Sequence, residues 1–375
     1  MQALARAIQP SRVRMLELTR EYLAHREEFL AACDRVLSKG QLLGGDELKA
    51  FEAELAALVG TTYAKGVASG TDALRLGAQA AGLRPGDEVL IQANAFVADV
   101  EALFDNRIVP VPVDVAEDDL GPDPAALAAA VTPRTRGILV VHLHGVPADM
   151  TPILEVARAH RLVVVEDCSH AHGARLDGRH VGSFGAVGAF SLGPIKNLGA
   201  YGDAGFVGTN DAEIANTVKL LGTHGQVKKN EHALYGGNSR LDELQAALLR
   251  VKLQHLETRN ARRRAIADHY CERFYGLVGL PLRDDRRVPA YHQFVIRTDR
   301  RAALQQHLAT HEIETGVHYP VPIHRQPAWA KIYGDAPAMP RAERIAGEML
   351  SLPVHPDLTD AEVERVAHAV TSFFA

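Results

Sequence analysis

Cysteine is scarce in this chain: Cys33, Cys168 and Cys271 are the three among 375 residues, far apart and without a C-x-x-C spacing. That odd, scattered set indicates neither a disulfide framework nor a zinc site, and it fits a reducing, cytoplasmic location. Positive charge is not in excess either. Lys and Arg number 41 against 46 Asp and Glu, a formal charge of −5, so no basic footprint for a nucleic-acid partner exists. No apolar run approaches the roughly 20 residues that span a bilayer. The opening stretch 1–10 lacks the apolar core of a signal peptide, so no membrane partner and no export are expected. Internal repeats and low-complexity tracts are also missing. What remains is 47% hydrophobic and 23% charged, an ordinary globular composition, at a length that favours one large and one smaller domain.

Apolar runs alternate with helical patterns between residues 60 and 215, the pattern of an α/β protein with a mostly parallel sheet. Strands are expected at 63–68, 88–92, 108–113, 137–142, 162–166, 186–191 and 205–209. Their near-continuous Val, Ile and Leu content suits strands covered on both faces. A helical pattern covers 15–37, and residues 241–271 carry apolar residues at helical spacing without Gly or Pro, which predicts a long helix linking two domains. Turn signals then become denser, with a strand expected at 291–297 and a helix at 301–310. The expected organisation is an N-terminal helical segment 1–37, a large domain 38–250 and a small α+β domain 251–375.

Lys196 lies five residues after Ser191 in Ser191-Leu-Gly-Pro-Ile-Lys196, ahead of a glycine-rich turn. A lysine held there can condense with a cofactor aldehyde, while a serine hydroxyl and backbone amides hold a phosphate. The plain alternative is a solvated loop lysine. Asp167 ends a Val-rich strand, where a carboxylate can keep a pyridine nitrogen protonated; it can equally be an acidic cap. In Val67-Ala-Ser-Gly-Thr-Asp-Ala-Leu74 a strand turns into a helix whose first amides suit a phosphate dianion, although Ser-Gly-Thr-Asp is also good capping chemistry. Phe96 follows another strand end and could lie on a cofactor ring or simply pack in the core. The eighteen histidines, His170 and His172 included, form no recognised metal spacing. The order of acid, serine and lysine, with one strand between, is what fits a single pocket.

With these residues in view, the chain resembles the StrS/DegT-type nucleotide-sugar aminotransferases, pyridoxal-phosphate enzymes of fold type I, from about residue 38 onward. The resemblance rests on ordered motifs, among them Gly-Gly-Asp-Glu-Leu-Lys-Ala-Phe-Glu (44–52), the Ser-Gly-Thr turn (67–74), Glu-Asp-Cys-Ser-His-Ala-His-Gly-Ala (166–174), the lysine segment (190–205), Gly-Gly-Asn-Ser-Arg-Leu-Asp-Glu-Leu-Gln-Ala-Ala (236–247) and His-Tyr-Pro-Val-Pro-Ile-His (318–324). It implies a seven-stranded, mostly parallel sheet in the large domain and a smaller C-terminal α+β domain. It implies that Lys196 binds pyridoxal 5'-phosphate and moves the proton, that Asp167 pairs with the pyridine nitrogen and that Phe96 stacks on the ring. Gly70, Thr71 and Ser191 would hold the phosphate and His170 would meet the phenolic oxygen. Asn238 would reach the phosphate of a neighbouring subunit, so the site belongs to a homodimer. Tyr319 and His324 would line the sugar-nucleotide cleft.

Some positions depart from the family pattern: His170 where Gln is usual, Gly193 for an aromatic, Ala95 for Thr and Gly222 for Arg. They spare the core chemistry and bear on the substrate. The resemblance implies a ping-pong transamination from glutamate to a keto group of a nucleotide-linked deoxysugar, with C3 of a dTDP-3-keto-6-deoxyhexose favoured over C4. A cyclitol or aminohydroxybenzoate-type aminotransferase stays open, encouraged by His170 and Gly193. Lys196 argues against a deoxygenating dehydratase, whose relatives carry His at that position. A cofactor-binding protein without turnover is the reading from a different class.

Overall fold

The computed structural model describes residues 12–375; the stretch 1–10 read for a signal peptide, and the first eleven residues of the segment 1–37, lie outside the described residues. The seven expected strands form one sheet: β1 (Tyr63–Val67), β2 (Glu88–Gln92), β3 (Val109–Val113), β4 (Thr135–Val141), β5 (Val163–Asp167), β6 (Val187–Ser191) and β7 (Gly205–Thr209). Their order is β1-β7-β6-β5-β4-β2-β3. β7 runs antiparallel to both its neighbours, and the remaining pairs are parallel. Six strands therefore bring their carboxyl ends to one edge of the sheet, where β7 contributes its amino end. Ligands of open α/β sheets collect at this edge. Helices cover both faces, which is why Leu90, Ile91, Leu139 and Val165 are buried and the strands read as apolar runs without alternation.

The expected N-terminal helix is two helices, Leu18–Ala24 and Arg26–Lys39, broken at His25. The second lays Phe29, Ala32 and Val36 on Ala247, Leu248 and Val251 of the long helix Glu243–Phe274. That helix runs without interruption through residues 250 and 251. Its first half packs Ala246 and Leu249 with Phe190 and Phe206 beneath the sheet. Its second half packs Ile266, Tyr270 and Phe274 into a C-terminal core with Phe294 and Leu352. This core holds an antiparallel pair, β8 (Phe294–Arg297) and β9 (Met349–Leu352). The strand expected from 291 starts at Phe294, because Tyr291 takes a left-handed φ of 39° that ends extended pairing and turns His292 and Gln293 toward the sheet edge. No helix among the described residues is long and apolar enough to cross a membrane.

Candidate active site

Side chains alternate faces along a strand, so the adjacent acids that end β5 part company. Glu166 points into the fold, where its oxygens accept the amides of Gly182 (2.7 Å), Phe184 (2.8 Å) and Gly185 (2.7 Å), while Nε2 of His142 lies 3.0 Å away. Asp167 turns to a cavity of about 310 Å³ at the carboxyl edge. Its Oδ1 accepts the amide of Ser169 at 2.9 Å and the hydroxyl of Ser169 at 2.5 Å; that hydroxyl oxygen accepts the Ser191 amide at 3.2 Å. β5 and β6 are thus cross-linked at their tips. Beyond β6 the Ser191 hydroxyl accepts the Gly193 amide at 3.2 Å and the Lys196 amide donates to the Gly193 carbonyl at 2.9 Å, a turn that carries the lysine back over the strand ends.

The Lys196 amine makes no ion pair among the described residues. Burial holds its pKa below the ordinary lysine value, against the opposing pull of Asp167 and then Asp99. A buried amine with a depressed pKa is what condensation with an aldehyde requires. Opposite it, the helix Gly70–Ala80 starts under a Ser69 cap whose hydroxyl accepts the Asp72 amide at 3.1 Å. The amides of Gly70 and Thr71 at the head of the helix have no protein acceptor among the described residues, and both residues line the cavity. Gly70 has no room for a side chain: a Cβ would lie 2.4 Å from Cβ of Ser191 and 2.8 Å from its Cα. Gly70→Ala is therefore expected to cost about 1–3 kcal/mol in chemical denaturation. Gly347→Ala, where a Cβ meets nothing within 4 Å, is expected to leave stability unchanged or slightly raised.

Phe96 heads the helix Val97–Asp105 and is 43% exposed over the cavity, its ring 4.9 Å from that of Tyr319. His170 is buried, with its ring 4.6 Å from His292 and its Nδ1 accepting the His144 amide at 3.3 Å. Burial, and then the charge of Lys196, pushes His170 and His292 well below the ordinary histidine range, so both stay neutral beside the lysine. One cavity thus brings together Gly70, Thr71, Phe96, Asp167, His170, Ser191, Lys196 and Tyr319.

Two expected residues are not among its lining. Asn238 is exposed on the same chain, its backbone bridging Thr223. His324 is not among the residues lining this cavity. It sits in the short turn Ile323–Arg325, buried, with Nε2 3.0 Å from Glu343, because Ile323 anchors that turn in the core beneath Trp329. The cavity also contains Ser169, His292, Gln293 and His318, to which the sequence assigned no site role. Ser169 stood two residues past Asp167 in a quoted motif. His292 carried no signal, since it lay in a stretch read as strand.

An unpaired amine, a carboxylate across the cavity and an open amide cradle at a helix N-terminus fit pyridoxal phosphate, on a sheet of the fold type I class. The chain belongs to the DegT/DnrJ/EryC1/StrS aminotransferase family, whose profile matches residues 24–371; it is a pyridoxal-phosphate-dependent aminotransferase. Among its relatives is the dTDP-3-amino-3,4,6-trideoxy-alpha-D-glucose transaminase of Streptomyces venezuelae, 45% identical, with 96% of this chain and 95% of that protein covered. Another is the dTDP-3-amino-3,6-dideoxy-alpha-D-galactopyranose transaminase of Aneurinibacillus thermoaerophilus, 40% identical over 96% of this chain and 98% of that one. The crystal structure of DesV from S. venezuelae superimposes with a TM-score of 0.94 at 45% identity, covering 96% of this chain and 98% of that one.

Proposed function

We propose that this aminotransferase moves an amino group from glutamate to the C3 keto group of a dTDP-linked 3-keto-6-deoxyhexose, as a homodimer. The observation that carries the chemistry is the unpaired, buried Lys196 amine, its pKa held below the ordinary lysine value, in one cavity with Asp167. The acceptor reading is supported by two relatives whose names carry a 3-amino group on a dTDP sugar.

Bound pyridoxal phosphate supplies an electron sink that makes the substrate C–H acidic. Lys196 would hold it through Nζ, and the same amine would carry the proton. Asp167 fixes the pyridine nitrogen with a negative charge, its own orientation set by the two Ser169 donors. Gly70, Thr71 and Ser191 hold the phosphate, with Asn238 of a second copy completing that contact. Phe96 would cover the ring face, and His170, neutral, would donate to the phenolic oxygen. Tyr319, beside Phe96, closes the sugar side of the cavity and excludes water.

The test separates donor from acceptor. Purified protein is expected to lose its visible absorbance with glutamate and to regain it with a dTDP-3-keto-6-deoxyhexose. Recovery with a keto-cyclitol in its place would favour the second reading. A Cβ at Gly193 would meet only the Ser191 hydroxyl oxygen, at 3.4 Å, and that open space supports this alternative. Failure to lose colour with glutamate, where another amino acid bleaches the band, would overturn the donor assignment.

A further inference from the structure

Asp99 occupies the third position of the helix Val97–Asp105 and is 0% exposed. Its Oδ2 accepts the Phe96 amide at 3.1 Å, which ties the acid to the residue covering the cavity. Its Oδ1 is buried and has no donor among the described residues, yet the carboxyl lies within hydrogen-bonding reach of Asp167. Two ionised carboxylates in a dry contact repel, and neither can donate to the other. A proton on one removes both faults. Asp167 Oδ1 is already taken by the two donors of Ser169. Oδ2 is left, with one lone pair for a donor from Asp99 and one for the cavity.

We propose that Asp99 is a positioning residue that keeps a proton on Oδ1 and donates it to Asp167, so that Asp167 retains its charge for the pyridine nitrogen. This rests on the reading of Asp167 given above. The charged and titratable groups facing Asp99 are Asp167 at the end of β5, Lys196 beyond β6 and the Tyr319 phenol. Burial first, and then Asp167, holds the Asp99 carboxyl well above the ordinary carboxylate range; the Phe96 amide and Lys196 pull the other way without prevailing. Between the ordinary value of 3.8 and the raised one, the folded protein binds more protons than the unfolded chain. Stability contributed by this group is therefore present at low pH and lost as pH rises through the folded pKa.

Asp99→Asn keeps a donor of the same shape and cannot titrate, whereas Asp99→Leu fills the space without a donor. Thermal melting of the cofactor-free proteins gives a readout independent of turnover. The melting temperature of Asp99→Asn relative to wild type is expected to be higher at about pH 8 than at about pH 5. Spectrophotometric titration with pyridoxal phosphate should show Asp99→Asn within about threefold of wild-type affinity and Asp99→Leu weaker by about tenfold or more. A melting difference equal at both pH values, or undiminished affinity in Asp99→Leu, overturns the inference. Asp167→Asn reads the underlying role separately: wild-type affinity and spectrum in that variant remove the premise, whatever the Asp99 variants do.

Discussion

Replacing Lys196 with alanine is expected to lower turnover by about ten-thousandfold or more and to yield protein without the visible band of lysine-bound cofactor. The size follows from the absence of a substitute. His170, His292 and His318 surround the amine, but none is an amine, and burial keeps all three below the ordinary histidine range. Absorbance spectra and single-turnover rates check the result; a variant retaining the band would sink the assignment. The same substitution has a pH signature without cofactor. Burial depresses Lys196 below 10.5, so the folded protein binds fewer protons than the unfolded chain between its folded pKa and that value. Wild-type stability contributed by this group consequently rises with pH across that window. Chemical denaturation of Lys196→Ala should lack that rise.

Asp167→Asn carries the second large effect, a fall in turnover of about a hundredfold to a thousandfold with the fold retained. The amide keeps the side-chain shape, and its oxygen still accepts from Ser169, so β5 and β6 stay tied. What disappears is the negative charge that, on the proposed role of Asp167, would face the pyridine nitrogen. A melting temperature near that of wild type, combined with the kinetic loss, separates this from a packing defect. Equal turnover in the variant would assign the charge elsewhere.

The central sheet was legible because its strands are covered on both faces, so that Val, Ile and Leu mark them whatever their neighbours are. Lys196, Ser191 and Asp167 were legible as a set because strand order alone brings the tips of β5 and β6 together. Asp99 was not. Within Phe96-Val-Ala-Asp-Val100 it reads as an ordinary first-turn acid of a helix, and only its burial against Asp167 sets it apart. Tyr291 escaped for a backbone reason, since a left-handed φ at a tyrosine leaves no mark in residue type. For His324, a histidine in a matching motif says nothing of which way its turn faces. Its ring went to Glu343.

The parting of Glu166 and Asp167 gives the pairing of β5 a chemical meaning. With Val165 opposite Val187 and Asp167 opposite Ala189, one acid is consumed by the amides of Gly182, Phe184 and Gly185 and its neighbour is delivered to the cavity. A slip of one residue along β6 would exchange them, presenting a longer carboxylate to the cofactor and asking a shorter one to satisfy three amides. The hydrogen bonds that consume Glu166 are thus a lock on alignment, and they decide which of the two acids faces the cavity.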